Sequence, residues 1–312
     1  MADIVITEFM EASAVDGLRT DFDVLYDPGL VDDRRRLLAS LGDARAVIVR
    51  NRTQVDGELL AAGPALVAVG RLGVGLDNID LVACDAADVD VYPATGANAA
   101  AVAEYVMAAV LLLTRGVFGA TDRVVAGSWP RTELSGGEIG GRTMALVGFG
   151  GIARLVAAKA SALGMTVTAM DPFLPEDDPA WATVERRPDL AALLADADAV
   201  SLHVPLTPDT RNLIDAAALK LLPEGAVLVN TARGGVVDEG AVVEALRTGA
   251  LGGAALDVFA EEPLDARTGA SFVDVPTLIL TPHIAGITEE SNRRVSAVTA
   301  ANVRKRLSGG PA

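Results

Sequence analysis

Short apolar runs separated by polar stretches with helical spacing recur along almost the whole chain. In the first hundred residues the runs are Ile4-Val-Ile6, Phe22-Asp-Val-Leu-Tyr26, Ala46-Val-Ile-Val49 and Leu66-Val-Ala-Val69, with charged segments such as Asp32–Ala39 between them. Runs of this kind predict buried strands, and the segments between them predict the covering helices, which together make a small α/β domain with a largely parallel sheet. The texture changes at Asn98. From there to Arg115 nearly every residue is apolar, and a helix that is apolar all round must be buried, between domains or against another subunit. Gly116–Gly141 is rich in loop formers; Trp129-Pro130 reads equally as an arm reaching a partner subunit or as a surface loop. After Gly141 the alternation resumes, with strands expected at 144–148, 166–171, 198–202, 226–230, 252–256 and 277–281. A last helix is expected over Glu289–Leu307, returning to the first domain and making it discontinuous, and Ser308–Ala312 should be a frayed tail.

A chain of 312 residues suits two domains, and 51% hydrophobic residues suffice for two cores. It contains no run of about eighteen uninterrupted apolar residues, and its opening lacks the basic flank and long apolar core of a signal peptide. A cytoplasmic protein is expected. The single cysteine, Cys84, excludes an internal disulfide and a cysteine-based metal cluster. A net charge of −16 argues against nucleic acid and anionic membranes as partners, because both require a basic face.

One junction between strand and helix carries chemistry. Met144-Ala-Leu-Val147 leads into Gly148-Phe-Gly150-Gly151-Ile152-Ala153, a helical stretch follows to Leu163, and the next apolar run ends at Asp171. Glycines between a strand and a helix expose bare backbone N–H groups beside the positive end of the helix dipole, where a pyrophosphate fits. An acid at the end of the second strand takes both hydroxyls of an adenosine ribose and repels a 2′-phosphate, which favours NAD over NADP. Ala153 stands in place of a third glycine and still permits close packing of helix on strand.

The chain has two histidines, so an imidazole acting as acid and base is His203 or His283. Each follows an apolar strand, and spacing does not choose between them. Two further loops at strand ends hold suitable groups. Asn230-Thr-Ala-Arg233-Gly-Gly235 offers a guanidinium fork for a planar carboxylate. Asp257-Val-Phe-Ala-Glu261-Glu262-Pro263 offers carboxylates able to orient an imidazole.

Gly148-x-Gly150, Pro205–Ile214, Asn230–Gly235, Asp257–Pro263 and Thr281-Pro-His283 resemble, in the same order, the signature blocks of the NAD-dependent D-2-hydroxyacid dehydrogenases, and the resemblance spans essentially the whole chain. It implies an α/β protein with a Rossmann-type NAD-binding domain, placed at 98–287. A smaller, discontinuous flavodoxin-like substrate domain is placed at 1–97 and 288–312, with a cleft between the two and a homodimer built through the NAD-binding domains. It implies Arg233, Glu262 and His283 as the catalytic trio. His283 would exchange the proton of the C2 hydroxyl, Glu262 would hold the ring and favour its charged form, and Arg233 would bind the substrate carboxylate. Glu262 is taken because it directly precedes the proline, which leaves Glu261 to solvent. Asp257 would contact the nicotinamide amide, with Ala285 and Gly286 flanking the same ring. The full cofactor set expected is Val74, Gly148, Gly150, Gly151, Ile152, Asp171, His203, Val204, Pro205, Thr231, Ala232, Asp257, Ala285 and Gly286. No metal is required.

Arg50, Asn51, Arg52, Arg71, Gly73 and Asn98 form the expected substrate set. Three arginines exceed what a lactate-sized acid needs, so a second anionic group on the substrate is the simplest explanation; the alternative is a solvated loop face. The block from Gly70 to Asp80 is similar to the phosphoglycerate dehydrogenase branch, and with Arg50–Thr53 to (S)-sulfolactate dehydrogenases within it, leaving 3-phosphoglycerate and sulfolactate both open. The chain stops at 312 without the amino-acid-binding module of regulated phosphoglycerate dehydrogenases, so serine feedback is not expected. The alternatives are a non-catalytic NAD(H)-sensing regulator of the same fold, a glyoxylate or hydroxypyruvate reductase, and, least favoured because of Glu262, a formate dehydrogenase.

Overall fold

The computed structural model describes residues 2–309 and divides the chain into two compact units, one running to Asn98 and resuming at Ile287, the other Ala99–Gly286. Residues 310–312 of the expected frayed tail lie outside the described residues.

The first unit is a five-stranded parallel sheet made of β1 (Ile4–Ile6), β2 (Val24–Tyr26), β3 (Ala46–Val49), β4 (Ala68–Arg71) and β5 (Asp90–Pro93). Their order is β2-β1-β3-β4-β5, the flavodoxin-like arrangement. Side-chain alternation splits its apolar residues into two cores: Ile4, Ile6 and Ile48 face one side with Val295 and Val303 of the Glu289–Leu307 helix, while Val5, Val47 and Val49 face the other with Leu37, Leu59 and Cys84. The Glu289–Leu307 helix begins in a reciprocal cap between Thr288 and Ser291.

Two features differ from the sequence reading. β5 carries no continuous apolar run, beginning at an aspartate and ending at a proline on the sheet edge. Because Gly70 and Arg71 pair with Tyr92 and Pro93, β4 extends two residues beyond Val69, and Arg71 is the last residue of a strand instead of a loop residue.

The second unit is a seven-stranded parallel sheet: β6 (Thr143–Val147), β7 (Thr166–Met170), β8 (Glu185–Arg186), β9 (Ala199–Leu202), β10 (Val227–Asn230), β11 (Gly253–Leu256) and β12 (Leu278–Leu280), ordered β12-β11-β10-β9-β6-β7-β8. Counted within the unit this is the Rossmann order, and its direction reverses between β6 and β9. Met144 and Leu146 of β6 face a core shared with the Ala99–Arg115 and Gly151–Ala162 helices, whereas Ala145 and Val147 face a second core with Val242 and Leu246. The long apolar helix thus buries Ala103, Val106, Met107 and Val110 within its own unit, while Leu111 and Leu112 remain 40% exposed. No single helix among the described residues is long and apolar enough to cross a membrane.

Candidate active site

The carboxyl ends of β6 and β9 meet where the strand order reverses, the place at which an open parallel sheet binds ligands. Gly148 turns the chain there with φ +86°, and a Cβ on it would lie 2.6 Å from the His203 carbonyl oxygen, so only glycine lets the two strand ends approach. The Gly151–Ala162 helix starts from Gly150 with no side chain capping its first turn, and added Cβ atoms at Gly150 and Gly151 would meet open space. Its leading N–H groups are therefore presented to a ligand. Asp171 follows β7, and its carboxylate accepts hydrogen bonds from Phe149 N (2.9 Å) and Phe173 N (3.0 Å), which fixes it beside the glycine turn. Two side-chain atoms at neighbouring strand ends are buried without a partner: Nε2 of His203 after β9 and Oγ1 of Thr231 after β10. Desolvation at this strand end lowers the His203 pKa to about 4, leaving the ring neutral near pH 7. An anion-receptive helix start, an acid at the next strand end and two orphaned polar atoms fit a dinucleotide.

The catalytic candidates follow the adjacent strands β10, β11 and β12. After β10, the Asn230 side chain donates from Nδ2 to the Arg233 carbonyl (3.0 Å) and accepts from Ala232 N (3.0 Å), shaping the turn that carries the guanidinium. A Cβ at Gly234 would lie 1.7 Å from the Phe259 carbonyl oxygen, so glycine allows this turn to lie directly against the loop after β11. In that loop Glu262 accepts from Phe259 N at Oε1 (2.9 Å) and meets His283 Nδ1 at Oε2 (2.7 Å). The surroundings of the two histidines differ: His283 is half-exposed beside a carboxylate, whereas His203 has a buried Nε2 with no hydrogen-bond partner. With its proton on Nδ1 facing Glu262, His283 presents Nε2 as a base; this tautomer is assigned from the hydrogen bond.

Asp257, 1% exposed, clamps the His283 loop. Its Oδ1 accepts from Thr281 Oγ1 (2.6 Å) and Ile284 N (2.8 Å), its Oδ2 from Ala285 N (2.8 Å), and its carbonyl from His283 N (2.8 Å). Tyr105 Oη meets Thr281 Oγ1 at 2.6 Å, and burial pushes that phenol up from its usual range. Sequence reading gave Asp257 to the cofactor and passed over Tyr105, whose partner lies 176 residues away. It also passed over Glu239, which accepts from Ala260 N (2.7 Å) and whose carboxyl is raised by burial and by the neighbouring acids, Glu262 among them. Pro205, Val204 and Gly286 lie in the strand-end loops as expected from their positions. Among the described residues no three His, Cys, Asp or Glu side chains gather to hold a metal.

In the first unit, Arg50 donates from Nη2 to Asn292 Oδ1 (2.9 Å) and lies 5.9 Å from the Phe9 ring centroid, Arg52 is paired with Asp32, and Asn51 is exposed. Arg71, 8% exposed, donates from Nε to the Gly75 carbonyl (2.8 Å). A side chain on Gly73 would strike the Arg71 guanidinium. Val74 is 38% exposed, and Asn98 keeps a buried Oδ1 without a partner.

Residues 107–285 match the model of the D-isomer specific 2-hydroxyacid dehydrogenase family, NAD-binding domain. The chain belongs to that family. It is similar to the (S)-sulfolactate dehydrogenase of Chromohalobacter salexigens, at 58% identity over 98% of this chain and 99% of the relative. It is 39% identical to the D-3-phosphoglycerate dehydrogenase of Mycobacterium leprae over 98% of this chain but only 57% of that protein. The crystal structure of the TT0316 protein from Thermus thermophilus superposes with a TM-score of 0.88, at 32% identity and covering 98% of this chain and 97% of that one. This dehydrogenase is therefore an NAD-linked oxidoreductase of small 2-hydroxy acids.

Proposed function

We propose that this dehydrogenase interconverts (S)-sulfolactate and sulfopyruvate. The observation that carries the substrate is the 58% identity, end to end, with an (S)-sulfolactate dehydrogenase. Arginines at 50, 52 and 71 support it, because a sulfonate adds a permanent negative charge to the carboxylate that every 2-hydroxy acid already has. Stereochemistry agrees. Around C2 of an ordinary 2-hydroxy acid the carboxylate outranks C3, but a sulfur on C3 outranks oxygen, so the ranks exchange and the D arrangement takes the label S. A D-specific site and an (S)-sulfolactate substrate describe the same hand.

In this reading His283 Nε2 removes the C2 hydroxyl proton during oxidation and returns it to the keto oxygen during reduction. Glu262 holds the ring at Nδ1 and offsets the positive charge that the imidazole gains. Arg233 grips the C1 carboxylate in its fork and polarises the neighbouring carbonyl. Asp257 and Thr281 fix the loop on which His283 rides. When bound, the nicotinamide supplies the hydride acceptor in one direction and the donor in the other. Gly150 and the first turn of the Gly151–Ala162 helix hold its pyrophosphate, and Asp171 holds the adenosine ribose. Val74, Ile152, His203, Val204, Pro205, Thr231, Ala232, Ala285 and Gly286 complete the cofactor contacts, with Gly73 and Asn98 beside the substrate.

A homodimer through the second unit and a cytoplasmic location belong to the same reading. Phe118 (66% exposed), Val125 (83%) and Trp129 (75%) follow Leu111 and Leu112 along the chain, exposed apolar side chains that a second copy would cover.

The test is NADH oxidation with sulfopyruvate, phosphohydroxypyruvate, hydroxypyruvate and glyoxylate side by side. Sulfopyruvate should give the highest kcat/KM. A higher value with glyoxylate or hydroxypyruvate overturns the assignment, and phosphohydroxypyruvate in first place moves it to phosphoglycerate.

A further inference from the structure

Glu8 lies two residues beyond β1 and is only 6% exposed; the Arg50 and Arg52 charges are near enough to attract it, but its hydrogen bonds come from elsewhere. Three backbone amides of one loop point at it instead. Its Oε1 accepts from Arg50 N (2.8 Å) and Thr53 N (3.0 Å), and its Oε2 accepts from Arg52 N (3.2 Å). The carbonyls of the same loop are held from another side, because Asn78 Nδ2 donates to Thr53 O (2.6 Å) and Arg50 O (3.3 Å). Thr7, beside Glu8, adds a hydroxyl contact to Thr53 (2.8 Å). Bonds from amides to an ionised carboxylate are among the stronger hydrogen bonds, and a carboxylate this buried requires them.

This arrangement has a consequence for anion recognition. Consecutive loop amides are themselves an anion cradle when they point outward. Here those of Arg50, Arg52 and Thr53 are taken by a carboxylate inside the protein, which leaves the guanidinium groups that the pinned backbone projects as the loop's charged groups for an external anion. We infer that Glu8 is a positioning residue that fixes the Arg50–Thr53 backbone so that its arginine side chains select substrates carrying a second anionic group. The inference rests on the reading above that this loop contributes to binding that second group.

Two physical effects of replacing Glu8 oppose each other, and this makes the sign informative. Removing a negative charge near Arg50 and Arg52 should by itself strengthen their attraction for an anion. Loss of the amide acceptor should loosen the loop and weaken binding. Glu8→Gln retains the shape but has one acceptor oxygen for three amides and turns an NH2 group toward one of them. If positioning dominates, KM for sulfopyruvate rises about tenfold, the scale of one lost hydrogen bond to a charged group. The kcat at saturation and the KM for glyoxylate, which has no second anion, should then stay within about twofold of wild type, a scale far below that loss. Glu8→Asp keeps the charge on a shorter arm and should shift sulfopyruvate KM in the same direction by less; it serves as the test if Glu8→Gln does not fold.

A fall in sulfopyruvate KM, or an equal rise for both substrates, overturns the inference. The wild-type panel separates this from failure of the substrate reading. Wild type preferring sulfopyruvate while the variants leave the sulfopyruvate-to-glyoxylate KM ratio unchanged refutes Glu8 alone. A wild type that prefers glyoxylate or hydroxypyruvate refutes the substrate reading, and the selectivity role of Glu8 with it, whereas one that prefers phosphohydroxypyruvate refutes only the sulfonate and moves the same comparison to that doubly anionic substrate.

Discussion

His203 should make the second unit lose stability in mild acid. Its folded pKa lies near 4 against an ordinary 6.5, because burial disfavours the imidazolium and Nε2 has no partner to compensate. The unfolded chain takes up the proton more readily, so the stabilisation is complete above pH 6.5, declines as pH falls and is lost below 4. The full separation is worth about 3 kcal/mol, of which about 2 kcal/mol falls between pH 7 and 5. Both tryptophans, Trp129 and Trp181, belong to this unit, and Trp181 stacks on Phe149 of the glycine turn at 5.0 Å, so intrinsic fluorescence reports its unfolding. Urea titrations at pH 7 and 5 on wild type and His203→Gln give the difference directly, with His283 and the carboxylates common to both proteins. Wild type should lose about 2 kcal/mol more than the variant over that interval. Equal losses would show that His203 is hydrated or paired in the folded state, and the proposed contact of its Nε2 with the cofactor would lose its support.

The other perturbations address the chemistry. His283→Ala should leave NADH binding, followed by fluorescence titration, nearly intact while kcat drops by about 10²–10⁴, the usual share of a general acid or base; an unchanged kcat removes His283 from the proton step. Asp171→Ala should raise the ratio of kcat/KM with NADPH to that with NADH by about tenfold or more, since a like charge no longer faces the 2′-phosphate; a wild type that already prefers NADPH contradicts the ribose assignment. Gly148→Ala combines φ +86° with a Cβ 2.6 Å from the His203 carbonyl, so it should lower stability by more than about 1 kcal/mol and weaken NADH binding together; a neutral variant would mean that the ends of β6 and β9 move apart freely.

What the sequence disclosed and what it hid follow from one distinction. Strands such as β3 and β10 lie in the sheet interior, are covered on both faces and therefore announce themselves as continuous apolar runs. β5 and β8 are edge strands with acids or arginines among a few residues, and nothing in their local pattern demands a sheet; missing β5 also concealed that Arg71 ends a strand. The glycine turn and Asp171 were legible because a phosphate-binding turn is local, with its parts within about two dozen residues. The trio was different. Two histidines after two strands were equivalent by pattern, the resemblance to a family chose between them, and the difference in their surroundings, a 2.7 Å carboxylate contact for His283 and a buried, unpartnered Nε2 for His203, exists only in three dimensions.

Residues that act through backbone amides were the least visible, and they share a geometry. Glu8 reaches amides 42 to 45 residues away, and Asp257 reaches those of Ile284 and Ala285, 27 and 28 residues away. Each sits at or just beyond the carboxyl end of a parallel strand and accepts from the loop that follows a neighbouring strand: β3 for Glu8 beside β1, β12 for Asp257 beside β11. In a parallel sheet neighbouring strands end at the same edge, so an acid at one strand end faces the next loop whatever the number of residues between them. An acid placed directly after a buried apolar strand is therefore a candidate loop clamp, recognisable by position even when its partners are not. The two clamps differ in what they hold. Asp257 fixes the loop that bears His283, the proposed general base, so looseness there should appear in kcat, whereas Glu8 fixes the loop whose arginines are proposed to read the second anion of the substrate, so looseness there should appear in KM.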